Sequence, residues 1–292
     1  MAIDRLQEKI RKTKTPLVVD FTADKTHIPP HILAQEHDFI HAYGRFCTEL
    51  MDALGGKIPA VRFSYSQFSV LGTEGLTLLS RLLDQAKKLG FYVILDLPEA
   101  LSAFSAQNIA QAMLADGSGY FCDGVLISAY IGSDALKPYI AQMKACDKDL
   151  FVVVRTANKT APELQDLLTG GRVAHMSLAD QLNRYGAPLI CKCGYSRLAA
   201  VGAASSADSL KNLRSKYKNL FLLLDGSDYP NSNAKNCSFA FDPLGHGAAA
   251  CVGLSVTAAW QEESEDGMDY LQCACAAAER WKKNILRYIT IL

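Results

Sequence analysis

Short apolar runs recur along the whole chain, and segments with apolar positions at helical spacing separate them. The predicted strands are 16–21, 59–63, 91–96, 124–128, 150–154, 198–202, 220–224 and 248–252. Most of these runs are continuously apolar rather than alternating, which is typical of parallel strands that are buried on both faces. The regular alternation of strands and helices predicts parallel βα units. Eight such units favour a (β/α)8 TIM barrel, and a doubly wound open sheet is the alternative.

The helical segments carry their own boundary signals. Leu76, Leu79 and Leu83 repeat at helical spacing before Lys88, and Gly90 suits the position just past a helix end. The same pattern predicts helices over 133–144, 162–168, 207–216 and 261–292. The last of these begins with acidic residues and ends with basic ones, which complements the helix dipole. We interpret the chain as a single domain, 1–292, with an extra C-terminal helix and a long irregular loop at 225–242.

Composition limits the classes of partner. Thirty basic residues balance thirty acidic ones, so no net field would attract nucleic acid or an anionic membrane. The first residues lack the apolar core of a signal peptide, and no apolar run reaches the length of a membrane span. The hydrophobic share of 49% is enough to bury a full core. We therefore expect a cytoplasmic protein that binds neither nucleic acid nor membrane.

The candidate metal ligands of the chain are its cysteine, histidine and acidic clusters. Nine cysteines without a secretory signal indicate reduced thiols that pack as small hydrophobes. The two Cys-x-Cys pairs are Cys191 with Cys193 and Cys273 with Cys275, and zinc sites space their ligands more widely and need four of them. Four histidines at helical spacings, His27, His31, His37 and His41, are expected to be solvated, with a metal or pH-sensing cluster as the alternative. An acidic rim of Asp20, Asp24, His27, Asp225 and Asp228 is likewise expected to be solvated charge, and His246 is interpreted as a turn or core residue. We expect no metal site.

Several motifs carry a resemblance to a known family. The segment 130–138 reads Tyr-x-Gly-x-Asp-x-Leu-x-Pro, the segment 151–158 reads Phe-Val-Val-Val-Arg-Thr-Ala-Asn, and Ala-Val-Gly-Ala follows at 200–203. Together they resemble the orotidine 5'-monophosphate (OMP) decarboxylases, in particular the long-chain bacterial subgroup, over nearly the whole chain. The resemblance implies a TIM barrel, a homodimer with sites at the subunit interface, a nucleotide-like ligand and no cofactor. The implied reaction converts OMP to UMP plus CO2 in pyrimidine biosynthesis.

The resemblance also implies how the reaction would work. Lysines and aspartates alternate at the barrel mouth of the family, where the aspartates stress the substrate carboxylate. A lysine stabilises the developing carbanion and then protonates it, against a barrier on the order of 20 kcal/mol. These charges must be preorganised in a dry site. An arginine after the eighth strand and backbone amides of the last two loops hold the phosphate.

The charged motifs of the family are altered in this chain. The third-strand pattern Asp-x-Lys-x-x-Asp keeps only Asp96, because Pro98 and Leu101 stand in the other two positions. The second-strand lysine corresponds to Arg62, which cannot donate a proton near neutral pH. The first-strand aspartate corresponds to Thr22.

The phosphate-binding and neighbouring positions are altered as well. The family's asparagine before the Tyr-x-Gly motif is Ser128, and the serine of the fifth-strand loop is Ala157. The glycine-glutamine phosphate loop is replaced by Asp-Gly-Ser-Asp at 225–228. No lysine or arginine occurs between Asn236 and Glu279, so the phosphate arginine is missing and Gly253 stands in its place.

These comparisons define the candidate site and the expected function. The catalytic positions are Asp96 and Arg62, and the substrate-binding positions are Thr22, Ser128, Thr156, Asn158, Asp225 and Gly226. An ion pair between Arg62 and Asp96 is favoured over a ligand contact, and retention of Arg155 and Thr156 favours a scaffold or dimer role. We expect a decarboxylase-like barrel with lost or much reduced decarboxylase activity. A non-catalytic ligand-binding or scaffold protein and a barrel enzyme with another substrate are the alternatives.

Overall fold

Parallel strands close into one barrel in the computed structural model, which describes residues 1–22 and 24–292. The barrel strands are β1 (Leu17–Phe21), β2 (Ala60–Ser64), β3 (Tyr92–Asp96), β4 (Gly124–Ser128), β5 (Asp149–Val153), β6 (Leu198–Ala203), β7 (Leu222–Asp225) and β8 (Ala248–Val252). Each strand pairs with its neighbours in sequence, and β1 pairs with both β2 and β8. The predicted (β/α)8 TIM barrel is therefore confirmed, and the open sheet is excluded.

The helices lie between and around the strands. They are α1 (Ala2–Thr13), α2 (Pro30–Gln35), α3 (Phe39–Leu54), α4 (Tyr65–Ser69), α5 (Gly72–Lys88), α6 (Ala103–Leu114), α7 (Ser133–Ala145), α8 (Ala174–Gly186), α9 (Ala207–Lys216), α10 (Ala234–Ser238), α11 (Leu254–Thr257), α12 (Trp260–Glu263) and α13 (Tyr270–Leu286). Short 3-10 turns occupy Lys25–His27, Ala161–Glu163 and Ala187–Leu189. The helices predicted at 133–144 and 207–216 are confirmed.

The helix predicted at 162–168 is wrong. A 3-10 turn covers Ala161–Glu163, and residues 168–169 and 172–173 then form a small antiparallel hairpin. Gly170 and Gly171 form its turn with φ of 58° and 79°, which fits the left-handed two-residue turn of tight hairpins. The leucines that suggested a helix, Leu164, Leu167 and Leu168, are exposed.

The helix predicted over 261–292 is interrupted. Glu262 and Glu263 of its acidic start belong to α12, whereas Glu265 and Asp266 lie in residues 264–269, which separate α12 from α13. Gly267 has a φ of 70°, and its N–H donates to the Ser264 hydroxyl at 3.1 Å, so this turn stops the helix. The segment 225–242 is not entirely irregular, because it contains α10, whose first turn is capped by the Asn233 side chain.

Two apolar cores stabilise the barrel. One lies between the barrel and its surrounding helices, and the other fills the barrel interior with side chains that include Tyr92, Phe151 and Phe221. Helix α1 closes the N-terminal end of the barrel because its apolar face joins the interior core through Leu6 and Ile10. The opposite, C-terminal end is left for function, as is usual for this architecture.

No helix in the described parts of the chain combines the length and the apolar character that crossing a membrane would require.

Candidate ligand site at the barrel mouth

Strand alternation places a layer of polar side chains at the C-terminal end of the barrel interior. Side chains two residues apart share one face of a strand, and the inward-facing residues of the interior core include Val18, Ala60, Ile94, Leu126 and Leu223. Two residues further along the same strands lie Asp20, Arg62, Asp96, Ser128 and Asp225. These five side chains therefore form the uppermost layer, which faces the barrel mouth.

Arg62 is held between two carboxylates. Its Nη2 lies 2.5 Å from Oδ2 of Asp20, and its Nη1 lies 2.8 Å from Oδ1 of Asp225. The side chain of Arg62 is only 12% exposed, so these ion pairs are largely shielded from water. Each terminal nitrogen already donates to a carboxylate, so the charge of Arg62 is largely offset, while its buried Nε has no hydrogen-bond partner among the described residues.

One sequence-based interpretation of this layer is wrong. The favoured ion pair between Arg62 and Asp96 is not among the ion pairs of the described residues, because Asp20 is opposite Arg62 in the strand register and Asp96 is opposite Ser64. The first strand does supply a carboxylate to the mouth, through Asp20. Thr22 lies beyond the end of β1, and its buried hydroxyl has no hydrogen-bond partner among the described residues.

Asp96 is partly buried, and it belongs to none of the ion pairs of the described residues. No hydrogen bond from another described side chain or backbone amide reaches its carboxylate. Burial raises its pKa to about 6, and the positive charge of Arg62 only partly opposes that shift. Burial likewise raises the pKa of Asp20, against the opposing effect of its ion pair with Arg62. Asp96 can therefore gain or lose a proton close to neutral pH.

Two adjoining cavities open at the mouth. The larger, of about 630 Å³, is lined by residues that include Thr22, Asp225 and Gly226. The smaller, of about 180 Å³, is lined by residues that include Asp96, Ser128 and Thr156. Arg62 and Asp225 line both cavities and form the wall between them. Seven of the eight predicted site residues therefore come together here.

Asn158 is the predicted site residue that the structure does not bring to either cavity. Its Oδ1 accepts a hydrogen bond from the Thr156 hydroxyl at 2.5 Å, and its Nδ2 donates to the Thr160 hydroxyl at 2.8 Å. Asn158 therefore stabilises the loop after β5 rather than lining the described cavities.

The lining of the two cavities is acidic. Its carboxylates are Asp20, Asp96, Glu99, Asp225, Asp228, Glu262 and Glu263, and its cations are Arg62 and Arg280. No lysine is among the described residues that line either cavity. Pro98, in the position of the family's lysine, is also absent from both linings, and Leu101 is 85% exposed. An anionic ligand would therefore meet net negative charge.

The loop after β8 already holds a carboxylate. Oδ2 of Asp228 accepts hydrogen bonds from the Gly253 amide at 2.8 Å, the Ser255 amide at 3.2 Å and the Ser255 hydroxyl at 2.8 Å. Barrels of this kind frequently bind a phosphate with the loops after strands 7 and 8 and a short extra helix. Here an aspartate from the seventh loop uses these donors, so the interpretation of Asp228 as a solvated charge is wrong.

The sequence analysis missed one cation of the cavity. Arg280 reaches the larger cavity from α13 and forms an ion pair with Glu263. Arg280 is the first basic residue after the segment without lysine or arginine, and it belongs to α13. Its place in the cavity therefore depends on the packing of α13 and not on the loop after β8. The Glu263 carboxylate offsets its charge.

The retained motif after β5 forms a hydrogen-bonded loop. Nε and Nη2 of Arg155 donate to the two carboxylate oxygens of Asp166 at 3.0 and 2.9 Å, which is a bidentate ion pair. The Thr156 amide donates to Oε1 of Gln165 at 2.8 Å. These contacts support the favoured scaffold role of Arg155, while Thr156 also lines the smaller cavity.

The other candidate ligands lie away from the barrel mouth. Cys191 and Cys193 occupy a turn before β6, and Cys273 and Cys275 belong to α13. His246 lies in a turn, and its Nε2 is 3.0 Å from the carbonyl oxygen of Leu292. Among the described residues, the one group that brings three possible metal ligands together is His37, Asp38 and His41.

Comparisons with known proteins agree with the motifs. No model of a known protein family matches the chain. Over 288 residues the chain is 23% identical to an orotidine 5'-phosphate decarboxylase of Clostridium novyi, which covers 98% of this chain and 99% of the relative. Over 229 residues it is 29% identical to an orotidine 5'-phosphate decarboxylase of Rhodopirellula baltica, which covers 76% of this chain and 75% of that protein.

Solved structures share the fold. The crystal structure of the Plasmodium berghei orotidine 5'-monophosphate decarboxylase superposes with a TM-score of 0.78 at 14% identity and covers 98% of this chain and 97% of its own. The OMP decarboxylase of Leishmania donovani gives a TM-score of 0.70 at 20% identity and covers 97% and 98% of the two chains. Over nearly its whole length the chain therefore resembles the orotidine 5'-phosphate decarboxylases, in its similarity to the Clostridium novyi relative, in the shared barrel and in the motifs at 130–138 and 151–158.

Proposed function

We propose that this family member has lost OMP decarboxylation and that its barrel mouth binds a small molecule without a phosphate group. One observation carries the proposal. The described lining of the two mouth cavities contains no lysine, and the arginine at their centre is paired with Asp20 and Asp225. The family reaction needs a free cation beside the carbanion, and this site offers none.

The missing lysine has two consequences for the chemistry. Arg62 keeps its proton at any pH near neutral, so it cannot protonate a carbanion. Its charge is also already engaged by two carboxylates, so it adds little stabilisation to a new negative charge. Removal of a single preorganised electrostatic donor slows an enzyme by about 10²–10³-fold. Loss of both the donor and the proton source is expected to cost more.

The phosphate end of the cavity supports the same proposal. A phosphate that bound the amides of Gly253 and Ser255 would first have to displace the carboxylate of Asp228. It would also enter a lining with seven carboxylates and two arginines. A neutral or cationic ligand avoids both costs.

The test is a direct comparison of turnover and binding. OMP is added and the loss of its ultraviolet absorbance is followed, with an active orotidine decarboxylase as the positive control. Thermal shift is measured alongside with UMP and with uridine. We expect no turnover and no stabilisation by UMP. Turnover of OMP would refute the proposal, and stabilisation by UMP without turnover would refute its phosphate-free part.

A second candidate function is catalysis on a different substrate, with Asp96 as the general acid or base. The specific observation is its position in the smaller cavity with a pKa raised to about 6 by burial. Titratable groups of this kind are frequent at active sites. Activity found in a substrate screen should vanish in Asp96→Asn and follow an apparent pKa near 6. Activity that Asp96→Asn leaves unchanged would exclude this role.

We also propose that the protein forms a homodimer in the cytoplasm. Apolar side chains are exposed in the loops after β2, β3 and β4, in the first turn of α6 and in the hairpin after β5; they are Val70, Leu101, Phe104, Ile131 and Leu168. These loops follow consecutive strands, so they lie side by side at the mouth. Leu101 and Phe104 are 85% and 73% exposed, which is costly unless another surface covers them. Light scattering should show a dimer that Phe104→Glu dissociates; a monomeric wild-type protein would refute the proposal.

The cytoplasmic part of the proposal rests on the cysteines. All nine are free in the structure, and several are buried as small apolar side chains. This usage is typical of a reducing compartment. Fractionation of cells that produce the protein is the measurement.

A further inference from the structure

We propose that His37, Asp38 and His41 form a surface site for one divalent transition-metal ion, such as Zn²⁺, Co²⁺ or Ni²⁺. The three residues lie at the start of α3, on the outside of the barrel. His37 precedes the N-cap residue Asp38, and His41 lies in the first helical turn. Their ligand atoms all lie within 4.8 Å of one another.

The distances suit a common ion. Oδ2 of Asp38 lies 3.2 Å from Nε2 of His37 and 3.0 Å from Nδ1 of His41. Zinc binds imidazole nitrogen and carboxylate oxygen at about 2.0–2.2 Å, so two ligands of a tetrahedral ion lie about 3.3–3.6 Å apart. The two imidazole rings lie with their centroids 3.9 Å apart. Both rings therefore already direct a nitrogen at the same carboxylate oxygen, and small rotations would admit the ion between them.

The fold holds the carboxylate in place. Oδ1 of Asp38 accepts a hydrogen bond from the His41 backbone amide at 2.9 Å, which caps α3 and leaves Oδ2 for the ion. This hydrogen bond is also the main reason why the pKa of Asp38 is lowered, so the ligand is anionic. The partial positive charge of the helix N-terminus opposes a cation. It is about half a charge, and the full charge of the carboxylate together with two imidazole ligands outweighs it.

The surroundings do not oppose the ion. Arg45, one turn further along α3, forms ion pairs with Glu36 and Glu49, so its charge is offset. His37 and His41 are 69% and 50% exposed, which leaves the remaining coordination positions open to water. Two imidazoles and one carboxylate favour zinc, cobalt and nickel over magnesium and calcium, which prefer oxygen ligands alone.

The alternative is that the same contacts are only hydrogen bonds and ion pairs between side chains, and titration separates the two. Zn²⁺ is titrated calorimetrically into the reduced full-length protein and into Asp38→Asn and His41→Ala, with His246→Gln as the matched control. Asparagine caps a helix as well as aspartate does, so Asp38→Asn keeps the helix start and removes the anionic ligand. We expect one equivalent of zinc to bind the wild type and the control. Both cluster variants should bind it at least about tenfold more weakly, since even partners of metal ligands contribute that much.

The nine free cysteines require a second readout. Co²⁺ bound through this cluster should show no thiolate charge-transfer absorption, whereas cobalt on cysteine would. Mg²⁺ should give no heat. The proposal is overturned if His41→Ala and the wild type bind zinc equally, or if all bound cobalt shows thiolate absorption.

Discussion

Replacement of Asp96 by asparagine tests the electrostatics of the barrel mouth. The pKa of Asp96 is raised from 3.8 to about 6, first by burial, whereas an unfolded chain leaves it near its ordinary value. The folded state therefore binds this proton more tightly than the unfolded state does. The contribution of Asp96 to stability is most favourable below pH 4, is lost as the pH rises from about 4 to about 6, and stays lost above that.

The size of the effect follows from the shift. A difference of about 2 pKa units corresponds to about 3 kcal/mol of unfolding free energy at pH 8, which is an upper value because the side chain keeps some contact with water. Asparagine does not titrate, so it escapes this penalty. We expect Asp96→Asn to be up to about 3 kcal/mol more stable than the wild type at pH 8 and nearly equal to it at pH 4.

Urea unfolding of both proteins at pH 4.5, 6 and 8 measures the effect, because their difference cancels the titration of all other groups. Glu99→Gln is a matched control, since Glu99 lines the same cavity but is exposed. The control should change stability by less than about 0.5 kcal/mol at each pH. The reasoning fails if the difference between Asp96→Asn and the wild type does not grow with pH, or if the wild type is the more stable protein at pH 8.

Three further changes test other parts of the molecule. Arg62→Met should lower the free energy of unfolding by up to about 3–5 kcal/mol, because it leaves the partly buried carboxylates of Asp20 and Asp225 close together without a cation. A loss below about 1 kcal/mol in urea unfolding would contradict this. Asp228→Gly should free the amides of Gly253 and Ser255. Inorganic phosphate should then raise the melting temperature of the variant but not that of the wild type. Equal shifts in melting temperature for the two proteins would contradict this prediction. Gly245→Ala should destabilise more than its control Gly170→Ala. Both glycines have positive φ, but a Cβ at 245 would lie 2.1 Å from the Thr290 carbonyl oxygen, whereas a Cβ at 170 meets nothing within 4 Å. Equal decreases in the melting temperature of the two variants would contradict this prediction.

The fold was predictable because its signals are local. Each barrel strand is a short apolar run, and the runs at 124–128 and 248–252 match the observed strands residue for residue. The hairpin at 168–173 also had a signal in Gly170 and Gly171, but leucines at helical spacing outweighed it. Those leucines turned out to be exposed.

The site was less predictable because its contacts are long-range. Alternation along β1 puts Val18 and Asp20 on the same face, and this pattern alone would have identified Asp20 as the carboxylate of the mouth. The partners of Arg62 depend on the register between strands, which a single strand does not reveal. The approach of Arg280 depends on the packing of α13, far along the chain from the strands that carry the other site residues.

The side chains at the mouth form one electrostatic arrangement, and this bears on whether a single substitution would give the site a usable cation. Restoring a lysine through Pro98→Lys would place one cation near Asp96 and Glu99, while Arg62 would stay paired with Asp20 and Asp225. The phosphate end would still be occupied by Asp228. The barrel can accommodate these charges because its apolar interior core lies below the polar layer. Helix α1 closes that core at the N-terminal end of the barrel. The apolar interior layer of the strands thus supports the fold, and the polar layer at the mouth determines the chemistry. The polar layer can therefore change while the fold remains stable.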